Sequence, residues 1–495
     1  MPPLPKRAPR ASRSGALGPA DQAFPRKPRQ ESEGPLANEH KDHPKLAELK
    51  AMVRDGRIDT LIVALTDMQG RLMGKRVQGQ AFLNGAIDHG AHFCTYLLGT
   101  DMEMNTPDGF QLMNWDTGYG DWIADPRWDT MRVIPWLEKT ALVLSDTIDH
   151  HGHEIAVSPR TMLKRVVERA TKHGFRVMAG SEFEYYLLTD TYEQAWKKGY
   201  VGLERFGYYN EDYHLLQATK GEPIHGRLRN LMTEAGIPVE FGKGEAAPGQ
   251  HEVNIHYTDV LEMADQSVIF KHGAKEIAWL NGFGLSFMAK PDHTWTGSSG
   301  HLHMSLWDKA GKKPLFFDAK AKPYGMSKTM RHFLGGMMAY ARELSVFWAW
   351  NVNSYKRYAV ASWAPVNVVW GRDNRTTGFR VVGDGPALHV EDRFPGGDMN
   401  AYTTYAAVVG AGLLGIEREI EPPDEYIGNG YVATGCDRMP RALHEAIREL
   451  ETSEAAAEIF GANVVAHYLN AARVEQETYD AVVHPWDRER YLERG

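Results

Sequence analysis

Ser181-Glu182-Phe183-Glu184-Tyr185-Tyr186-Leu187-Leu188 follows Gly180 and contains no breaker. Its aromatic and aliphatic content predicts a strand. Alternate side chains of a strand share a face, so Glu182 and Glu184 point the same way. Two carboxylates on one face of an otherwise apolar strand repel each other and lose hydration. Either this is an edge strand with that face in water, or a counter-charge, most simply a divalent cation, sits against it.

Immediately upstream, Ser158-Pro159-Arg160 predicts the start of a helix running to Lys172, with Ser158 as cap and Pro159 in the first turn. His173–Gly174 ends it. Further back, residues 58–65 predict a strand, Asp67-Met68-Gln69-Gly70 a turn, and residues 73–77 a returning strand. Short strands and turns fill 81–148. The run His150-His151-Gly152-His153 reads as a solvated loop. Downstream, 191–220 reads as a polar and aromatic flap, and 226–236 as a helix. Two strands then meet at a tight Pro248–Gly249 turn. Helices are expected over 262–281, 327–348 and 400–418, and a buried strand over 283–288. Strand-rich segments alternate with covering helices, so the fold class is α+β with a mainly antiparallel sheet.

The chain has 495 residues, 43% hydrophobic and 24% charged, with a net charge of −8. That is globular and long enough for two or three domains. The charge argues against a nucleic-acid binder held by phosphate contacts. Cys94 and Cys436 make neither a disulfide framework nor a zinc cluster, which fits a reducing compartment. No apolar run approaches a membrane span, and no signal peptide is evident. Residues 1–43 are rich in Pro, Arg and Ser and read as a disordered basic tail. A transit peptide would share that basic character, but Pro2, Pro3, Pro5 and Pro9 oppose an amphipathic helix.

Four further stretches gather charge. Glu245 and Glu252 flank the Pro248–Gly249 turn, and a hairpin there would bring them together. Ser299-Gly300-His301-Leu302-His303-Met304-Ser305 puts His301, His303 and Ser305 on one strand face. Glu391-Asp392-Arg393 pairs Glu391 with Arg393. Arg357, Arg375 and Arg380 come from 353–357 and 373–380. Oxygen ligands with one or two imidazoles suit Mg²⁺ or Mn²⁺ better than zinc. Arginines beside such ions would neutralise phosphates or hold a carboxylate.

From about residue 45 to the C-terminus the chain resembles the glutamine synthetase superfamily. The resemblance is carried, in the family's order, by SEFEYYLL (181–188), APGQHEVN (247–254), KPDHTWTGSSGHLHMSL (290–306), NSYKRY (353–358), DNRTTGFRVV (373–382) and EDRFPGGDMNAYTTYAA (391–407). It implies an N-terminal β-grasp domain over 44–148 and a catalytic domain with a curved antiparallel sheet over 149–495. It also implies cytoplasmic stacked rings, commonly a dodecamer, with sites between subunits. The implied chemistry is ATP-dependent phosphorylation of the glutamate γ-carboxylate, followed by displacement of phosphate by an amine. Two to three Mg²⁺ or Mn²⁺ ions would serve each site. Position by position, Glu184, Glu245 and Glu252 resemble the ligands of one ion, and Glu182, His301 and Glu391 those of the other. His303 and Ser305 match nucleotide contacts, and Tyr257 the aromatic that stacks on adenine. Gly297 lies in the glutamate loop, Arg357 and Arg393 resemble the glutamate carboxylate clamps, and Arg375 and Arg380 the arginines on the transferring phosphoryl group.

Two departures carry the substrate reading. Where glutamine synthetases place an ammonium-binding Glu, six residues past the Arg357 position, this chain has Trp363. Where the family's N-terminal loop supplies an Asp, residues 93–98 contain no acid. An ammonium site needs convergent carboxylates, because a small cation is costly to desolvate without them. An aromatic wall suits an organic amine. The expected product is therefore a γ-glutamylamide made in amine catabolism or detoxification. The alternatives are an ordinary glutamine synthetase using ammonium, or a non-catalytic assembly of the same fold. With Trp363 in place of the Glu, the sequence names no base to deprotonate the amine: Asp373 and an acid of a neighbouring subunit are candidates, and an amine of lower pKa, such as an arylamine, would need none.

Overall fold

The computed structural model describes residues 42–495. The tail expected over 1–43 lies, except for its last two residues, outside the described part. The first sheet holds six strands: β1 (Thr60–Thr66), β2 (Leu72–Gln78), β3 (Ala91–Cys94), β4 (Asp121–Pro126), β5 (Arg132–Val133) and β6 (Thr140–Ile148). Their order is β2-β1-β6-β4-β3, with β5 on β6. β1 and β6 run parallel, and the other pairs are antiparallel.

The second sheet holds nine strands: β7 (Phe175–Leu188), β8 (Val239–Gly244), β9 (Gln250–Ile255), β10 (Thr258–Asp259), β11 (Gly284–Ser286), β12 (Gly300–Asp308), β13 (Trp370–Arg372), β14 (Phe379–Val382) and β15 (His389–Asp392). Their order is β13-β14-β15-β12-β7-β9-β8, with β10 and β11 both on β7. All pairs but β13–β14 are antiparallel. The sheet is strongly curved. The α+β class expected from the pattern is thus what forms.

β7 is a central strand, paired to β12 on one side and β9 on the other. That removes the edge-strand reading of Glu182 and Glu184. Its odd-numbered face packs on helices. Ser181 hydrogen-bonds Ser267 at 2.9 Å and Tyr405 at 2.8 Å. The Phe183 ring lies 5.8 Å from Phe270 and 6.0 Å from Phe287, centroid to centroid. The helices Val260–Leu280 and Ala401–Glu417 therefore cover one face, and Glu182 and Glu184 are committed to the other. From Ala401 to Gly415 every residue of the second helix is buried, as expected for an interior helix that is apolar all round.

Helix 159–172 forms where expected. Ser158 occupies the cap position, but its side chain makes no cap hydrogen bond, so Pro159 in the first turn is the start signal that operates. The helix expected over 226–236 is longer, Leu215–Glu234. Its first half opens on exposed Leu215 and Leu216 and contains Pro223, which cannot donate to the helix, so sequence pattern hides it. Helix Tyr192–Lys197 lies within the expected flap, started by a Thr191–Gln194 capping box.

The two sheets are joined by buried charge. Arg160 donates to both oxygens of Asp265, at 2.9 and 3.0 Å, and also to Asp146 of β6. Tyr402 donates to Asp265 at 2.5 Å, and Lys164 to Asp146 at 2.6 Å. A second tie is Asn400. Its oxygen caps the helix at Tyr402 N, and its amide donates to Met68 O at 3.0 Å in the β1–β2 turn.

Breaking the first tie leaves the Arg160 guanidinium buried without its bidentate partner. Asp265→Ala should cost about 3–5 kcal/mol in urea unfolding, and Asp265→Asn clearly less. Equal losses for the two variants would show that Asp265 acts through packing instead of charge.

Candidate active site

Strand register builds the site. Directly opposed residues of neighbouring strands share a face. Glu182 of β7 stands opposite His301 of β12 on one side and Asn254 of β9 on the other. Glu184 stands opposite Glu252. Gly180 stands opposite His303, and His303 opposite Glu391 of β15, which in turn faces Arg380 of β14. Glu245 follows β8, and the Pro248–Gly249 turn returns the chain so that Glu245 N donates to Gln250 O at 2.9 Å. Residues far apart in sequence thereby form one continuous row of charge.

Each carboxylate has its own neighbours. Glu182 hydrogen-bonds His301 Nδ1 at 2.6 Å and accepts from Asn254 Nδ2 at 2.8 Å. Burial opposes its ionisation, but His301 and His303 outweigh burial and hold the carboxyl well below the usual range. Glu184 accepts from Ser299 N at 2.7 Å and Gln250 Nε2 at 3.3 Å. Burial, and then the Glu245 charge, push it up to about 8. Glu252 is pushed up to about 11 by burial and by Glu182 and Glu245, against the pull of Lys243. Glu391 is held down at about 2: burial opposes this, and Arg393, His301 and His303 prevail.

Two groups offer donor atoms within 4.8 Å of one another: Glu182, Glu184 and His301, and Glu184, Glu245 and Glu252. The second is the set expected for one ion. The first differs from expectation, with Glu184 in the place of Glu391. Glu391 lies 3.5 Å from His301 Nδ1, but its oxygens accept from Arg380 at 2.9 Å and from Arg393. Two guanidiniums thus hold it back from the cluster. The donor set is oxygen-rich with one imidazole, and His301 Nε2 is buried and unpartnered. Both features fit divalent ions of the Mg²⁺ or Mn²⁺ kind.

The other expected residues fall as follows. Tyr257 is half exposed, and its Cβ and that of His303 flank Gly180, at 3.5 and 3.8 Å from where a side chain there would begin. Ser305 accepts from Trp307 Nε1 at 3.0 Å. A Cβ on Gly297 would lie 2.7 Å from Arg357 Cγ and 2.9 Å from Ala289 O, so this loop position admits glycine alone. Arg357 is 2% exposed, with its guanidinium spent on Phe394 O, Arg393 O and Ser299 Oγ at 2.8, 3.0 and 2.7 Å. Those bonds fix it in the site wall, against the Gly297 loop. Arg393 is engaged by Glu391, and Arg375 is exposed. Trp363 is 57% exposed in a loop where Ala361 and Trp363 both take positive φ, +59° and +64°. Such backbone is costly for residues with a Cβ and marks a loop held by its surroundings. Asp373 hydrogen-bonds Arg380, which holds its carboxyl below the usual range and makes it a poor base. The 150–153 histidine run is indeed a turn, closed by Asp149.

Sequence reading passed over Gln250, Asn254, Lys243 and Asp212. Gln250 and Asn254 sit inside a quoted motif but carry no charge to flag them. Lys243 and Glu245 alternate along β8 and its exit, which was a usable signal. Asp212 comes from the 207–214 segment, and nothing in its sequence points to the site.

Residues 156–491 match the family model for the glutamine synthetase catalytic domain. The chain is 45% identical over 449 residues to γ-glutamylethanolamide synthetase of Streptomyces coelicolor, covering 90% of this chain and 95% of the relative. It is 38% identical over 451 residues to glutamate–isopropylamine ligase of a Pseudomonas species, covering 90% and 98%. Glutamine synthetase of Thermotoga maritima matches at 30% over 455 residues, covering 90% and 98%. A solved GmaS–ADP complex superposes with a TM-score of 0.79 at 27% identity, covering 90% of this chain and 99% of that one.

The raised carboxyls have a measurable consequence. Burial and neighbouring acids favour the protonated forms of Glu184 and Glu252, and an ion held by these groups would displace those protons. Mn²⁺ binding at pH 7 should release about two protons, read by calorimetry in buffers of different ionisation heat. The stability sign follows from Glu184. Its folded value, about 8, lies above the ordinary 4.5, so ion-free stability should fall as pH rises between those values. Saturating Mn²⁺ should abolish that fall. Proton release near zero would refute the assignment.

Proposed function

The chain belongs to the glutamine synthetase family, and on that premise we propose that it joins the γ-carboxylate of glutamate to an organic amine at the expense of ATP. The reaction runs through γ-glutamyl phosphate. A glutamate carboxylate oxygen attacks the γ-phosphorus and ADP leaves. The amine nitrogen then attacks the acyl carbon, phosphate leaves, and the nitrogen loses a proton. The observation that carries this reading is the buried Glu184, shared by two oxygen-rich groups, in a chain whose 359–365 loop offers Trp363 and no acid.

In this reading Glu184, Glu245 and Glu252 hold one ion, and Glu182 and His301, with Glu391, hold the second. When bound, the ions neutralise phosphate charge as it shifts during transfer. Tyr257, His303 and Ser305 border the nucleotide, and Arg375 and Arg380 face the phosphoryl group. Gly297 lets the glutamate loop lie close on Arg357, and Arg357 holds the Arg393–Phe394 backbone in place behind it. Trp363 forms an apolar wall on the amine path. Among the described residues no helix is long and apolar enough to cross a membrane. A cytoplasmic enzyme of stacked rings, commonly twelve subunits in this family, is the assembly we propose. The amine-ligase names of the two relatives at 45% and 38% identity support the substrate class.

Phosphate release with glutamate, ATP and Mg²⁺ should be driven by at least one of ethanolamine, isopropylamine, methylamine, putrescine, spermidine or aniline, and weakly by ammonium. Trp363→Glu should shift kcat/KM towards ammonium by about tenfold or more. A wild-type preference for ammonium would make the chain an ordinary glutamine synthetase. Unchanged selectivity in Trp363→Glu would acquit the loop of setting it.

A further inference from the structure

Lys243 enters the carboxylate cluster from the end of β8, opposite Glu252 of β9. Its ammonium hydrogen-bonds Glu245 Oε1 and donates to Asp212 Oδ1 at 3.2 Å. It lies 3.9 Å from Glu252 Oε2 and 4.4 Å from the centroid of the Tyr213 ring. The lysine therefore stands between two seats. One is made by Glu245 and Glu252 in the cluster. The other is made by Asp212 and the face of Tyr213, a cation–π partner, on the 207–214 segment.

That segment is fastened to the same hairpin. Glu211 Oε1 accepts from Gly249 N at 2.6 Å, at the turn between β8 and β9. Tyr213 N donates to Gly244 O at 3.3 Å. The backbones are so close that a Cβ on Gly244 would lie 2.8 Å from Glu211 O. Whatever moves the Lys243 ammonium thus acts directly on residues 207–214.

A divalent ion at Glu184, Glu245 and Glu252 claims the oxygens that Lys243 now uses, and it repels the ammonium. The lysine stem is flexible enough to carry the charge the short way to Asp212. We propose that Lys243 is a built-in counter-cation of this cluster, displaced by ion binding onto Asp212 and the Tyr213 ring, so that ion loading tightens the 207–214 segment over the β8–β9 hairpin. This rests on the reading of the cluster as a divalent-ion site. It adds an element that the donor set alone does not contain: a tethered competitor whose release couples ion binding to the order of a neighbouring segment.

The test titrates the full-length chain with Mn²⁺ by calorimetry and follows amide hydrogen exchange over 207–214. In wild type, Mn²⁺ should bind and slow that exchange severalfold. Lys243→Met should bind Mn²⁺ about tenfold tighter or more, unfold at a lower temperature without Mn²⁺, and lose the slowing. Asp212→Asn keeps the Glu245 seat and removes the other, so it should bind Mn²⁺ more weakly than wild type and also lose the slowing. A wild type that binds no Mn²⁺ would sink the ion-site reading itself. A wild type that binds, with Lys243→Met no tighter, would overturn the role of Lys243 and leave the ion site standing. Should Lys243→Met fail to fold, Asp212→Asn decides: wild-type affinity and wild-type slowing would overturn the proposal.

Discussion

Mutual repulsion among Glu182, Glu184, Glu245 and Glu252 is the constraint around which the catalytic half of this chain is arranged. Strand register forces the four onto one face, and burial denies them water. They are met by unequal partners, some charged and some neutral. Glu182 has two imidazoles and the Asn254 amide. Glu245 has the Lys243 ammonium, and Glu391 has two guanidiniums. Glu184 has the Ser299 amide and the Gln250 side chain, both neutral, and Glu252 has Lys243 at a longer distance. For those last two the compensation falls short, and burial with neighbouring acids favours their protonated forms. A divalent cation would supply the positive charge that this face lacks.

Such a face is a net cost to folding, so the stability that tolerates it must come from elsewhere. It comes from behind the sheet. Phe183 points away from Glu182 and Glu184 into an aromatic group with Phe270 and Phe287, and Ser181 is tied to Ser267 and Tyr405. One residue of slip in β7 would bury the carboxylates against these helices and turn the phenylalanine into the site. The apolar face of β7 therefore specifies the position of its acids. The Arg160–Asp265–Asp146 group performs a similar task at longer range, fixing the first sheet to the helices that back the second.

Much of this was legible in the sequence, and the reasons for the rest are specific. Alternation along 181–188 puts Glu182 and Glu184 on one face, and the tight turn at Pro248–Gly249 joins Glu245 to Glu252. Both are local properties, and local periodicity reveals them. Which strand lies beside which is a property of register, and no residue of β12 or β9 announces that His301 and Asn254 will flank Glu182. Partner choice is also hidden. Arg357 and Arg393 read as arginines awaiting a substrate carboxylate, and the sequence does not show that Arg357 also serves backbone carbonyls and Arg393 also serves Glu391. A guanidinium has five donors, and several kinds of acceptor satisfy it equally well. The first half of helix 215–234 escaped for another reason: its leading leucines are exposed and Pro223 interrupts it, so it presents no apolar stripe to read.

The same accounting bears on how the site would tell one amine from another. With Glu182, Glu184, Glu245, Glu252 and Glu391 committed to ions or to internal cations, and Asp373 committed to Arg380, these groups leave no carboxylate for an incoming ammonium. Ammonium then meets a desolvation cost that these groups do not offset, whereas an organic amine, itself protonated in water, recovers part of that cost through its carbon chain. Against an organic amine the Trp363 wall acts with modest force, about 0.8 kcal/mol per buried methylene. Under the proposed reaction, rejection of ammonium would be the stronger discrimination, since ammonium meets the missing charge with no apolar contact in return. Choice among organic amines is the weak one, set by a few methylenes against one exposed indole. An enzyme of the proposed kind would separate amines from ammonium more sharply than it separates amines from one another.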